Sequence, residues 1–314
     1  MTMVRADMHV HTCYSNRNDN IAFLGARDCY STPQQVYATA KARGMDLVAI
    51  TDHDTIDGAL ALVDATRDSP DVIVGEEVSC WYKDAPLQVH FGVYGMTESL
   101  HREVQPLRRN VFDVVECLTE AGVVFCLNHL MHFWRDQIAL DQYLRLLSRV
   151  PALEVRNGTM LARHNALIEQ MAFEGTFSRG RRLAAVAGSD SHTLRRIGTT
   201  WTEAPGRNRN EFLESVRRGL GTAGGRHGDT FTVSGDAYGV IRGYIASLLG
   251  ILPADHHGIG RAACLAFAIG SLPFEFLPVL LVSRQKLAER RNVALLEAAL
   301  SESPAHVAAV NVRI

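Results

Sequence analysis

Short apolar runs separated by helix-like stretches recur through roughly the first two-thirds of the chain. Val4–Val10, Leu47–Ile50, Val72–Val74, Val89–Val93, Val123–Leu127, Ala152–Val155 and Leu183–Ala187 each read as a strand. Between the first two, Thr32-Pro33 opens a helix, with Thr32 as N-cap and Pro33 at the first helical position, and the helix ends near Gly44. A further helix starts at Gly58, after the second run. Strand, loop and helix in repetition predict a mostly parallel α/β barrel.

The pattern changes at the glycine-rich stretch Gly219-Leu220-Gly221-Thr222-Ala223-Gly224-Gly225, which reads as a boundary. It predicts one domain over 1–222 and an apolar, mainly helical extension over 223–314. Ala262–Ser283 is long and apolar enough to suggest a membrane span, but Glu275 lies mid-segment and Pro273 and Pro278 interrupt it. The expectation is two buried helices, broken at the prolines, that cover the barrel or pair with a second copy in a homodimer, with a membrane-surface contact as the lesser alternative. Arg284–Leu300 reads as an ordinary amphipathic helix.

Composition narrows the picture. Of the 314 residues 47% are hydrophobic, enough to bury a large core, and the formal charge of −2 excludes the basic excess of a general nucleic-acid binder. The six cysteines are scattered without a CxxC pair, and MTMVRADMHVHT lacks the apolar run of a signal peptide. Both point to reduced thiols and a cytoplasmic protein.

The candidate chemistry lies at the strand ends. His9 and His11 close the first run, Asp52 and His53 follow the second, Glu77 the third; His129 follows the fifth, and Asp190 and His192 the last. His90 sits inside the fourth. Barrel enzymes gather distant residues on that rim. Positions two apart on a strand point the same way, so His9 and His11 can face one ion, and Asp7 is placed to hold a histidine in its metal-binding tautomer. A carboxylate such as Glu77 can bridge two cations. Each motif alone is weak; their joint occurrence points to a metal cluster.

In order, the runs D-x-H-x-H-T-x-x-S, A-I-T-D-H-D-T, G-E-E-V-S, V-H-x-x-G, N-H and S-D-S-H resemble the PHP (polymerase and histidinol phosphatase) family, from about Asp7 to Thr202. The resemblance implies a distorted (β/α)7-type barrel. It implies that His9, His11 and Asp190 bind a first metal, that Glu77 bridges the first and second, that His90 and His129 complete the second, and that His53 and His192 bind a third. The family usually has Asp or His directly after the serine of its first motif; here Asn16, a weaker ligand, stands there, and Asp19 is a candidate substitute. The fifth motif usually reads A-H-P and here is Asn128-His129-Leu130.

Two or three divalent ions, with Mn²⁺, Fe²⁺ and Zn²⁺ all suited to these ligands, imply phosphoester hydrolysis of a small phosphorylated metabolite, nucleotide or short oligonucleotide by a metal-bridged hydroxide. Asp52 and His192 are the candidate proton donors. Arg163 and Arg196 are the favoured phosphate-binding cations among Arg156, His164 and Arg195, with His132 and Trp134 lining the pocket. The alternatives are an amidohydrolase-type carbon–nitrogen hydrolase and a metal-binding scaffold with weakened catalysis.

Overall fold

The computed structural model describes residues 2–15, 24–67, 69–83, 87–130, 140–174, 182–252 and 260–302. Strand β1 (Met3–Asp7) leads through a long segment to α1 (Pro33–Ala42). Thr32 caps α1 as the sequence predicts, and its hydroxyl and the Gln35 side chain close a reciprocal capping box. Then follow β2 (Leu47–Ile50), α2 (Asp57–Ala65), β3 (Val72–Trp81), β4 (Gln88–Tyr94), α3 (Glu98–Leu107), α4 (Val111–Glu120), β5 (Val124–Leu127), α5 (Leu140–Leu147), β6 (Ala152–Asn157), α6 (Ala162–Glu174) and β7 (Ala184–Gly188). All seven predicted strands are present.

Their order in the sheet is β7-β6-β5-β4-β3-β2-β1-β8-β9. The ring nearly closes because the chain leaving β1 also meets the end of β7. Asp190 N–H donates to the His9 carbonyl at 2.8 Å and His11 N–H to the Ser191 carbonyl at 3.2 Å. Gly188 makes this seam possible: a Cβ there would overlap the Cβ and backbone nitrogen of His9. Val4, Ala6, Met8, Leu47, Ala49, Ile73, Val124, Cys126, Ala152, Ala184 and Val186 form one buried cluster drawn from strands all around the ring, which fills the barrel.

Three features depart from the predicted pattern. First, β4 runs antiparallel to both β3 and β5, and β3 is ten residues long. Glu77 therefore lies inside β3, paired with Gly92 of β4, rather than after the strand. The reversal also explains His90: because β4 runs downward, its third residue lies at the rim where the other strands end. Second, β8 (Thr200–Pro205) and β9 (Thr222–Gly225) extend the sheet antiparallel to β1, with α7 (Arg209–Arg217) between them. The 222/223 junction expected to separate a catalytic domain from an extension falls within β9.

Third, the C-terminal segment forms α8 (Thr230–Leu248), α9 (Arg261–Gly270), a short 3-10 turn at Leu272–Phe274, and α10 (Leu277–Glu302). The prolines fall at the turn and in the first turn of α10, as predicted, but burial does not follow. Phe267, Ile269, Leu272, Phe274, Phe276, Leu280 and Leu281 are all more than half exposed. The docked stretch of α10 lies further along. Lys286 and Glu289 are buried together, with Lys286 Nζ donating to the Thr159 carbonyl at 2.6 Å and Glu289 accepting from Leu161 N–H at 2.7 Å. No single helix among the described residues is long and apolar enough to cross a membrane; α9 and α10 together meet that length and composition only as a pair bent by 51°.

Candidate metal centre

The rim gathers its polar side chains around one carboxylate. Glu77 Oε2 lies 3.1 Å from His9 Nε2, 3.3 Å from His11 Nε2 and 3.1 Å from His53 Nδ1. Its Oε1 lies 2.9 Å from His129 Nε2 and 3.2 Å from His90 Nδ1, and accepts from Asn128 Nδ2 at 2.9 Å. Five imidazoles from widely separated segments thus meet one buried acid. Asp190 Oδ1 lies 3.5 Å from both His9 Nε2 and His11 Nε2, and those two nitrogens are 3.1 Å apart.

These spacings test whether a cation fits. Ligand atoms about 2.0–2.1 Å from one ion stand roughly 3.0–3.4 Å from one another. His9, His11, Glu77 and Asp190 present three edges inside that range, at 3.1, 3.1 and 3.3 Å, and two just above it at 3.5 Å. Four triads have ligand atoms within 4.8 Å of one another: His9-His11-Asp190, His9-Glu77-His129, His53-Glu77-His90 and His11-His53-His192. Mixed imidazole and carboxylate donors suit a borderline divalent ion. The residues fit a metal cluster.

The electrostatics agree. Burial works against charge on His9, yet Glu77, Asp190 and Glu154 hold its pKa well above the ordinary range. Burial is likewise overridden at His11, raised to about 10 by Asp190 and Glu77. Glu77 and Asp190 are conversely held well below the carboxylate range by the histidines, against burial. His53 and His192 are pushed down, by burial first and then, among other charges, by the neighbouring imidazoles.

Two ligand-bearing residues, Asp190 (φ 50°) and His129 (φ 25°), hold left-handed backbone conformations. Such strain costs about 1–3 kcal/mol each and persists where surroundings enforce it. Here Asp190 N–H is tied to the His9 carbonyl, and His129 N–H to Glu154 Oε2 at 2.8 Å.

Glu154 is the residue the sequence pattern hides. It is a buried acid inside β6, and its Oε1 lies 2.8 Å from His9 Nδ1. That contact fixes the tautomer that turns Nε2 toward the cluster. Asn157 Nδ2 then links Glu154 to Asp190, at 2.9 and 3.1 Å. The orienting role expected of Asp7 is not what Asp7 does. β1 ends at Asp7, so strand alternation does not carry over to His9, and the carboxylate accepts instead from the backbone N–H groups of Ser189 (2.8 Å), Gly198 (2.7 Å) and His9 (3.3 Å).

Other expected roles are corrected. Asp52 is buried with both oxygens held by Thr12, from N–H at 2.5 Å and Oγ1 at 2.7 Å, so it anchors the loop after β1 rather than facing substrate. Burial lifts its pKa to about 6 despite those bonds. Arg196 is buried, donating to the carbonyls of Gly158 and Ser189 and with Nε 2.7 Å from Asp236 Oδ2, so it braces the backbone rather than presenting its guanidinium at the surface. Arg163 points out from α6 and pairs with Glu297 of α10. Arg156 pairs with Glu169 at 3.3 Å, and His164 is buried near Glu289, with its pKa lowered to about 3 chiefly by burial. Arg195 is exposed three residues beyond His192. Asn16, Asp19, His132 and Trp134 lie outside the described residues.

Residues 173–220 match the family model of the PHP-associated segment, PHP_C. A stretch of 76 residues, 24% of the chain, is 33% identical to an uncharacterized protein of Methanocaldococcus jannaschii, and it spans 44% of that relative's length. Among solved structures, PsfC from Pseudomonas syringae PB-5123 is similar at 19% identity and a TM-score of 0.49, over 72% of this chain and 92% of PsfC. A protein from Bifidobacterium adolescentis assigned as a metal-dependent phosphoesterase is similar at 16% identity and a TM-score of 0.42, over 68% of this chain and 94% of its own. An amidohydrolase from Chromobacterium violaceum, solved with bound sulfate and no metal, is similar at 16% identity and 0.43, over 61% and 89%. Six motifs in the order of the PHP family assemble around Glu77, and the PHP-associated match over residues 173–220 takes in Asp190 and His192, so in this part the chain is similar to PHP proteins.

Proposed function

We propose that the protein is a metal-dependent phosphoesterase acting on a small phosphorylated metabolite, nucleotide or short oligonucleotide. The observation that carries this reading is the single buried carboxylate of Glu77 shared by His9, His11, His53, His90 and His129. Divalent cations bound there would neutralise a phosphoryl group and would lower the pKa of bound water toward about 7. His9, His11 and Asp190 would hold one ion, and Glu77, His90 and His129 would hold a second. Glu154 and Asn157 fix the ring of His9 and the Asp190 carboxylate, so the ligands need no rearrangement. His53 and His192, with side chains 23% and 26% exposed, form the open side through which a substrate enters.

The test is a substrate panel with Mn²⁺-loaded protein: phosphomonoesters, phosphodiesters, short oligonucleotides and amides. The reading predicts turnover of at least one phosphoester, lost in Glu77→Gln and His9→Ala. Turnover of amides alone would transfer the protein to the carbon–nitrogen hydrolases. No turnover of any class, with metals bound, would favour a metal-binding scaffold.

A further inference from the structure

The pattern of ligands around His53 and His192 is incomplete, because Asn16 stands where the family motif has Asp or His. An acid from another segment faces the same space. Asp28 Oδ2 lies 3.8 Å from His53 Nε2 and 3.8 Å from His192 Nε2. Both distances exceed a hydrogen bond, yet an ion about 2.1 Å from each atom fits between them. Asp28 Oδ1 is buried and has no hydrogen-bond partner among the described residues. A buried carboxylate oxygen without a donor is costly unless something else supplies positive charge.

The segment carrying Asp28 is strapped to the end of β1. Arg27 Nη1 donates to the Cys13 carbonyl at 2.9 Å, Cys29 Sγ to the His11 carbonyl at 3.3 Å, and Cys13 N–H to the Ser31 carbonyl at 2.8 Å. The residues on both sides of Asp28 are thus fixed to the chain that bears His11. Ser15 Oγ, accepting from His53 N–H at 3.0 Å, ties the loop after β2 to the same place. Three segments, after β1, β2 and β7, converge on one gap with two imidazoles and one acid.

We propose that Asp28 supplies the carboxylate of a third cation position, completed by His53 and His192, in place of Asp or His at residue 16. This rests on the metal-centre reading above and adds to it a ligand that none of the six motifs contains. Glu77 and Asp190 already serve the first two positions, and among the described residues Asp28 is the carboxylate that lies 3.8 Å from both rim histidines.

The experiment loads wild type, Asp28→Ala, Asp28→Asn, Asp28→Glu and Asn16→Ala with Mn²⁺ alone. Metal per chain is counted after desalting, and the ions are located by anomalous diffraction. Wild type, Asp28→Glu and Asn16→Ala should hold three ions. Asp28→Ala and Asp28→Asn should hold two, with the missing peak lying between His53 and His192. Melting in EDTA should be the same for all five, showing that the apo fold is intact. Three ions in Asp28→Ala, or loss of that peak in Asn16→Ala, overturns the proposal. So does a wild type with two ions and nothing between His53 and His192; phosphoesterase activity in that protein would leave the functional reading standing. A wild type that holds no ion sinks both.

Discussion

Replacing Glu154 with glutamine removes one negative charge and almost no volume, so it isolates the orientation of His9. Oε2 of Glu154 accepts two hydrogen bonds, from His129 N–H at 2.8 Å and Asn157 Nδ2 at 2.9 Å, whereas Oε1 faces only His9 Nδ1, at 2.8 Å. A glutamine amide keeps its oxygen where two donors need it and turns its NH₂ toward His9. Nδ1 must then accept, and the ring proton moves to Nε2, the nitrogen aimed at Glu77, Asp190 and the metal position. Any cation must first reverse that tautomer. Losing such a partner typically weakens metal affinity about 10- to 100-fold, or about 1.4–2.8 kcal/mol. Mn²⁺ titration against a competing chelator measures this, with circular dichroism to confirm the fold. Asp7→Asn is the contrast. Its carboxylate accepts three backbone N–H groups, so it should lower the melting temperature, by about 1–3 kcal/mol of stability, with a smaller effect on affinity. Wild-type affinity in Glu154→Gln, or a greater loss of affinity in Asp7→Asn, would refute the assignment of Glu154 as the orienting acid.

Metal binding should tighten as pH rises. His9 and His11 are raised above the ordinary histidine range in the metal-free protein, the latter to about 10, so cations displace protons below that pH; each proton released strengthens binding about tenfold per pH unit, and calorimetry in buffers of different ionisation heat counts them, with pH-independent affinity as the contrary result. His164 should make the fold acid-sensitive: its folded pKa near 3 lies below the usual 6.5, so its contribution is complete above pH 6.5 and is lost as pH falls toward 3, by about 1.4 kcal/mol per unit. Urea unfolding of His164→Leu should show a shallower loss between pH 6.5 and 5, and an unchanged slope would count against it. Gly188→Ala should wedge apart the seam between β1 and β7, costing about 1–3 kcal/mol and Mn²⁺ affinity together; a melting temperature within a degree of wild type would contradict the close approach to His9.

Much of the barrel is legible because its strands are short apolar runs. β2 is readable to the residue, and Thr32 announces α1 through its cap. β3 reads as too short because Glu76 and Glu77 interrupt its apolar pattern. Both are buried, Glu76 against His101 and Gln105 of α3, each at 2.8 Å, and Glu77 in the centre itself. β8 escapes the pattern because its inward positions include threonines: Thr202 Oγ1 satisfies the amide and carbonyl of Ala187, so a polar residue takes the place of an apolar one. β9 hides in glycines that resemble a linker. At the site, residues in motifs can be read directly, whereas Glu154 and Asp28 cannot. Glu154 is a lone acid in an apolar run, a signal that points to a buried polar role without naming it, and Asp28 comes from a loop whose path only the fold reveals. Arg163 and Arg196 are engaged elsewhere, Arg163 by Glu297 and Arg196 by backbone carbonyls, because an arginine next to a motif is as readily taken up by its own fold.

The central claim is that the rim of this barrel holds a cluster of divalent cations bridged by Glu77. Elemental analysis of Mn²⁺-loaded, desalted protein tests it most directly. Wild type should carry two or three ions per chain and Glu77→Ala fewer than one. Fewer than one ion per chain in wild type, or an undiminished count in Glu77→Ala, would contradict it.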